Sequence, residues 1–202
     1  MTGPDLLPIW LKLLYTAFVV VLVPIWWIDN GPANFLWFSD IALLATVPAL
    51  WLESSLLAST MSVAVLMLEF AWLVSLLCRL LIGSDPIGLA AYMTDPETTR
   101  RVKWLSAIFH VGMPATLLWV LAVLGYDRRA LPLQIVLAWI VLVVTWLFTD
   151  PDKNINWAFG PGARPQHALS PAAYLVVVMV VLPVFVYWPT HWMLSRMFPR
   201  HD

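Results

Sequence analysis

Residues 56–82 read LLASTMSVAVLMLEFAWLVSLLCRLLI, and the charged side chains among them are Glu69 and Arg79. A helix rises about 1.5 Å per residue, and about 20 apolar residues cross the hydrocarbon core of a bilayer. The stretch is therefore long enough to cross a membrane with a tilt, or to extend beyond it. Runs such as VVVLV at 19–23 lack the alternation of a transmembrane strand, which favours helices.

Five further stretches have the same apolar character and are separated by turn-forming residues. Together they predict an all-α, polytopic transmembrane bundle of about six helices, forming a single integral membrane domain over residues 1–202. The predicted spans are 8–28, 35–52, 56–82, 104–125, 130–148 and 172–195. The second and fifth spans are short for a crossing, since the usual range is about 17–25 residues.

The composition supports the same class of protein. Hydrophobic residues make up 61% of the chain and charged residues 11%, whereas soluble domains average about 45–50% and about 25%. These values exclude a soluble enzyme and a disordered tail. The net charge of −1 provides no basic surface for nucleic acid, so the expected partners are membrane lipids and other membrane proteins. The single cysteine, Cys78, excludes a disulfide framework within the chain.

Six spans place both ends of the chain on one side, which we call face A, together with the short turns at 53–55 and 126–129. The opposite side, face B, receives the loops at 29–34, 83–103 and 149–171. Basic residues are almost evenly divided between the faces, and the compact arginine pair at 128–129 slightly favours face A as the cytoplasmic side. Within the second loop, Pro96 indicates a short helix that leads into the fourth span.

Three ionisable side chains lie inside the predicted spans. From the helical rise, Asp40 is about 8 Å, His110 about 9 Å and Glu69 about 15 Å below face B. Because an ionisable group in the bilayer is costly, each is a candidate functional residue. Two carboxylates and an imidazole at similar depths can transfer protons or bind a divalent metal. We therefore expect Asp40, Glu69 and His110 to form a catalytic cluster that opens toward face B.

Glu69 and His110 have a second interpretation, and the loop at 149–171 has polar residues of its own. Glu69 and His110 can simply hydrogen-bond each other and lock helix packing. In the loop at 149–171, Asn154 and Asn156 are expected to present their amides toward a polar head group as substrate-binding residues. The sequence does not decide whether a metal or another cofactor binds.

A second membrane histidine, His191, is predicted to lie at face A, about 20 Å in depth from His110. Metal–nitrogen bonds are about 2 Å long, so the two histidines cannot share one metal ion or haem iron. We interpret His191 as an interfacial residue in a belt formed with Trp188 and Trp192.

Several short motifs resemble those of a family of small bacterial multi-pass inner-membrane proteins without an assigned activity. These motifs are NFLWFSD at 34–40, LES at 52–54, GYDRR at 125–129, NINW at 154–157 and PTH at 189–191. The resemblance covers nearly the whole chain and implies a location in the bacterial inner membrane. It implies no catalytic residue, substrate or cofactor.

Two functions fit these observations about equally well. One is an intramembrane enzyme that acts on a lipid-like or isoprenoid-like substrate, with the polar cluster supplying acid–base or metal chemistry. The other is a non-catalytic membrane subunit or assembly factor, for which short turns and a tight bundle are typical. A small transporter is less favoured, because the sequence has no internal repeat of the kind that many transporters show.

Overall fold

The computed structural model describes residues 6–85, 88–162 and 164–200. Over these ranges the chain is helical with connecting turns and contains no strand, which confirms the predicted all-α bundle. The last helix, Pro171–Met197, is continuous and contains a π-helical turn at Pro183–Tyr187. The helices are α1 Ile9–Asn30, α2 Phe38–Trp51, α3 Ser55–Ile82, α4 Arg100–Leu124, α5 Ala130–Phe148 and α6 Pro171–Met197.

Five of the described helices, all except α2, are long and apolar enough to cross a membrane. The chain is therefore a multi-pass helical membrane protein. α2 has 14 residues, or about 21 Å, which is shorter than a hydrocarbon core of about 30 Å. The predicted second span began at 35, but a 3₁₀ turn occupies Pro32–Leu36 and Trp37 is extended, so the α-helix begins at Phe38.

The first half of α3 lies at the centre of the bundle, packed against α2, α4, α5 and the second half of α6. Nine consecutive residues, 58–66, are buried there. The small side chains of Ala58, Ser59 and Ser62 let neighbouring helices approach closely. Toward face B, α3 instead exposes Phe70 and Leu81, so this half has an exposed apolar surface.

The N-terminal side of α1 is tied to the turn between α2 and α3. The Glu53 carboxylate accepts hydrogen bonds from the backbone N–H groups of Leu6 and Leu7, at 3.0 and 2.9 Å. It also pairs with the buried Lys12 ammonium at 2.9 Å. Burial has the largest single effect and would raise the pKa of Glu53. The hydrogen bonds from Leu7 and Leu6 and the pairing with Lys12 together outweigh it and lower the pKa below its usual range.

The other end of the chain meets the same face. The Ser55 hydroxyl donates to the Gly125 carbonyl at 2.6 Å, and the Tyr126 N–H donates to the Phe198 carbonyl at 2.8 Å. Together with the Glu53 contacts, these bonds bring the described ends of the chain and both short turns to one end of the bundle. The predicted grouping of turns on face A is confirmed.

On face B, α4 begins between Pro96 and residue 104, where the fourth span was predicted to start. The helix starts at Arg100, where the Thr99 side chain accepts from the Val102 N–H as an N-cap. The predicted helix at Pro96 is wrong: residues 95–99 form a turn in which the Asp95 side chain and carbonyl bind the following backbone N–H groups. These bonds satisfy the local backbone without a helix.

Candidate functional site

Glu69 and His110 form a hydrogen-bonded pair between α3 and α4. His110 Nδ1 lies 2.6 Å from Glu69 Oε2, and the two side chains are 15% and 4% exposed. Each residue is fourteen positions from the face A end of its helix, which places both about 21 Å from that face. Two of the three predicted residues are therefore brought into direct contact at one depth.

Aromatic rings fix the orientation of the His110 imidazole. Its ring stacks on Trp72, with centroids 4.3 Å apart, and on Phe109, with centroids 4.4 Å apart. With Glu69 ionised, His110 Nδ1 carries the proton and donates it to the carboxylate, as in other carboxylate–histidine pairs. His110 Nε2 is then the ring nitrogen that is left for a further hydrogen bond.

Asp40 lies in the first turn of α2 and is 3% exposed. The Asn34 amide donates to Asp40 Oδ2 at 3.2 Å, while Oδ1 is buried with no hydrogen-bond partner among the described residues. Asp40 also lies within electrostatic range of Glu69. Its predicted depth of about 8 Å counted helical residues from 35, but α2 begins at Phe38, so Asp40 is only two residues into the helix. Two loop residues, Asn34 and Asn156, hydrogen-bond the start of α2.

The three residues do not form a metal site. Among residues 6–85, 88–162 and 164–200, no three His, Cys, Asp or Glu side chains are close enough together to hold a metal ion. The structure thus contains a carboxylate–imidazole pair, Glu69 with His110, and a second carboxylate, Asp40, nearby. This arrangement is suited to proton transfer.

Tyr92, which the sequence did not single out, lies next to the pair. Its hydroxyl is hydrogen-bonded to Ser106 Oγ on α4 at 2.5 Å. Burial, with a smaller effect of the Glu69 and Asp40 charges, raises the pKa of Tyr92 to about 12, although hydrogen bonds with Ser106 and Trp72 act in the opposite direction. Tyr92 belongs to a polar segment without periodicity, so no pattern indicated that its side chain enters the bundle.

The segment that carries Tyr92 folds back over the face B end of α3. Asp85 hydrogen-bonds Ser75, and the same Ser75 hydroxyl accepts from the Ala90 N–H at 3.1 Å. At the end of this segment, Thr94 is hydrogen-bonded by Arg79. These contacts position Tyr92 and Ser106 on the face B side of the Glu69–His110 pair.

Asn154 organises its own loop. Its side-chain Oδ1 accepts from the N–H groups of Phe159 and Gly160, at 2.9 and 3.1 Å. Its Nδ2 donates to the carbonyls of Gly160 and Gly162, both at 2.8 Å. The residue is 2% exposed, so the predicted presentation of this amide to a head group is wrong: the chain itself uses the donors and acceptors.

Asn156 connects the same loop to α2. Its Oδ1 accepts from the Phe38 N–H at 2.9 Å, and its Nδ2 donates to the Leu36 carbonyl at 2.7 Å. The residue is 1% exposed. Asn156 therefore acts as an N-cap from 118 residues away. Its amide also faces the interior, which corrects the prediction that it binds a head group.

His191 lies at face A, as expected, and is separate from the Glu69–His110 pair. Its Nδ1 is 2.7 Å from the Tyr126 hydroxyl, and the two rings meet edge to face with centroids 5.4 Å apart. This contact gives His191 a packing partner in the turn between α4 and α5.

The fold and the site define a multi-pass helical membrane protein with a buried carboxylate–imidazole pair. No family model, curated protein or solved structure matches the chain.

Proposed function

We propose that the protein is an intramembrane enzyme of the bacterial inner membrane that acts on a lipid-like substrate, with Glu69 and His110 as its acid–base pair. The observation that carries the proposal is the 2.6 Å contact between Glu69 Oε2 and His110 Nδ1 inside the bundle. Asp40 is the second acidic group of the proposed site. The motifs that resemble bacterial inner-membrane proteins support the location.

The chemistry follows from the two groups. A buried carboxylate costs several kcal/mol in a bilayer, and pairing with an imidazole is one way in which that cost is offset. An imidazole changes its protonation near neutral pH. In the proposed mechanism Glu69 orients the ring, while His110 Nε2 accepts or donates the proton at the substrate.

The surroundings of the pair support a substrate that arrives from the bilayer. The His110 side chain is more exposed than that of Glu69, at 15% against 4%. The exposed residues of α4 on either side of it are apolar, including Trp104, Ile108 and Val111. A molecule that approaches along this surface must be largely apolar itself, which favours a lipid-like substrate over a soluble one.

The test is lipid mass spectrometry of membranes from cells that express the protein or a variant. We expect lipid species that change in abundance with the wild-type chain and with Glu97→Gln, an exposed acid that serves as a matched control, but not with Glu69→Gln. Equal lipid profiles for the wild type and Glu69→Gln, with a lower melting temperature in the variant, would show that the pair only stabilises packing. Metal analysis of the same purified protein tests whether a metal contributes.

A second candidate function, a non-catalytic membrane subunit, is favoured by one observation. α3 has 28 residues, about 42 Å, and so extends beyond a core of about 30 Å. Its last residues, Leu80, Leu81 and Ile82, are 64%, 81% and 71% exposed. If the subunit function is right, Leu81→Gln removes a polypeptide that co-purifies with the wild type, and Glu69→Gln does not.

A further inference from the structure

A second polar cluster lies at face A, in the turn between α4 and α5. The Asp127 carboxylate receives Arg129 Nε and Nη2 at 3.1 and 2.7 Å, and Arg200 Nη1 at 2.9 Å. The Asp127 N–H donates to the buried Ser59 hydroxyl of α3 at 2.9 Å. The hydrogen bonds from Arg129 lower the pKa of Asp127 to about 2, so the carboxylate is ionised at neutral pH.

This cluster has an excess of positive charge. Two guanidinium groups share one carboxylate, which leaves a net charge of +1, and the neighbouring Arg128 is exposed. The Arg129 and Arg200 side chains are 73% and 50% exposed. Within the described part of the chain, Arg129 Nη1 and Arg200 Nε and Nη2 bind no other residue, so these N–H donors remain for a ligand.

A cleft of about 780 Å³ opens beside the two arginines. Its polar side includes Arg129, Arg200 and Ser54. Much of the remaining lining is apolar and includes Leu121 and Phe198. A volume of this order is typical of small-molecule sites. The acidic residue Glu53 also lines the cleft, but its charge is already paired with Lys12.

The backbone holds Arg200 in this place. Gly125 has a φ of +74°, and a Cβ at this position would lie 2.9 Å from the Arg200 Cα. The adjacent Tyr126 N–H binds the Phe198 carbonyl at 2.8 Å. The chain after α6 is therefore packed against the turn between α4 and α5, and this packing brings the second arginine to the cleft.

We propose that this cleft binds the phosphate of an anionic phospholipid. Guanidinium groups bind phosphate oxygens through paired, charge-assisted hydrogen bonds, and basic pockets between transmembrane helices bind lipid head groups. The apolar part of the lining, at the level where α4 ends and α5 begins, fits the upper part of the acyl chains. A free phosphate ion would use the same arginines without the apolar wall. The cleft is on the face opposite to Tyr92 and is independent of the Glu69–His110 pair.

The experiment uses the full-length protein purified in detergent, with phosphatidylglycerol, phosphatidylcholine and inorganic phosphate as probes. Lipid retained by the protein is measured by native mass spectrometry, and melting temperatures are measured with each probe. We expect selective retention of phosphatidylglycerol by the wild type and by the control Arg196→Gln, whose guanidinium instead lies 3.9 Å from the Trp192 ring. The double variant Arg129→Gln/Arg200→Gln is expected to bind this lipid about tenfold more weakly, because it loses charge-assisted hydrogen bonds to the phosphate.

The double variant leaves Asp127 without its cations, so the single variant Arg200→Gln is measured as well. It keeps the bidentate pair between Arg129 and Asp127 and is expected to fold, with weaker phosphatidylglycerol binding than the wild type. Equal phosphatidylglycerol binding by folded Arg200→Gln and wild type overturns the proposal. So does equal retention of phosphatidylcholine, or stabilisation by inorganic phosphate without stabilisation by phosphatidylglycerol.

Discussion

Replacing Asn156 by alanine tests whether this residue supports the fold or binds a substrate. The substitution leaves the Phe38 N–H and the Leu36 carbonyl without their side-chain partner in a site that is 1% exposed. Each buried group that loses its partner costs about 1–3 kcal/mol, or about 2–6 kcal/mol for the two. Asn156 also has a φ of +54°, a left-handed conformation that costs alanine about 1 kcal/mol more.

The expected loss is therefore about 3–7 kcal/mol, which lowers the melting temperature of a chain of this length by about 6–28 °C. Thermal unfolding in detergent micelles, followed by circular dichroism, measures this change. Asn30→Ala, at the exposed end of α1, is the matched control, and we expect a shift of about 2 °C or less. An unchanged melting temperature for Asn156→Ala, combined with loss of lipid turnover, would refute the structural role and restore the substrate-binding interpretation.

Three further predictions concern face A and the topology. The pKa of Asp127 is lowered to about 2 from an unfolded value of about 4. The stabilisation from its ionised form is therefore present above about pH 4 and is lost as the pH falls through about 2. Melting temperatures measured from pH 5 to pH 2 should fall less steeply for Asp127→Asn than for the wild type. Gly125→Ala should displace the chain around Arg200, which limited proteolysis detects as faster cleavage after α6, and an unchanged cleavage rate contradicts the close packing. Reporter fusions before residue 1 and after residue 202 should report the same compartment, whereas opposite compartments would mean that α2 does not complete a crossing.

The helices were predictable because hydropathy is a local property. An apolar stretch of membrane length needs its backbone hydrogen bonds satisfied internally, and a helix does this without help from the rest of the chain. The depth of Glu69 and His110 followed from the same regularity, and the two residues do meet. The start of α2 was less predictable. The helix begins at Phe38 because a 3₁₀ turn occupies Pro32–Leu36 and because Asn156 accepts a hydrogen bond from the Phe38 N–H.

The roles of the polar loop residues depend on contacts that no local pattern contains. Asn156 reaches a backbone group 118 residues earlier in the chain, and Tyr92 enters the bundle because Ser75 and Arg79 hold its segment against α3. Depth along a helix is set by residue count, but the direction of a side chain around the axis depends on how the helices pack. For this reason the sequence grouped Asp40 with Glu69 and His110 but could not show that only two of them touch.

The hydrogen-bonding capacity that remains after folding separates structural from functional polar groups in this bundle. Asn154 and Asn156 use both the oxygen and the nitrogen of their amides within the chain, so the fold accounts for them. His110 bonds through Nδ1 alone among the described residues, and Asp40 Oδ1 is buried without a partner there. A native membrane protein rarely leaves such groups unpaired, since each costs free energy in an apolar medium. Under the proposed function, His110 Nε2 and Asp40 Oδ1 are the atoms at which the substrate is expected to bind.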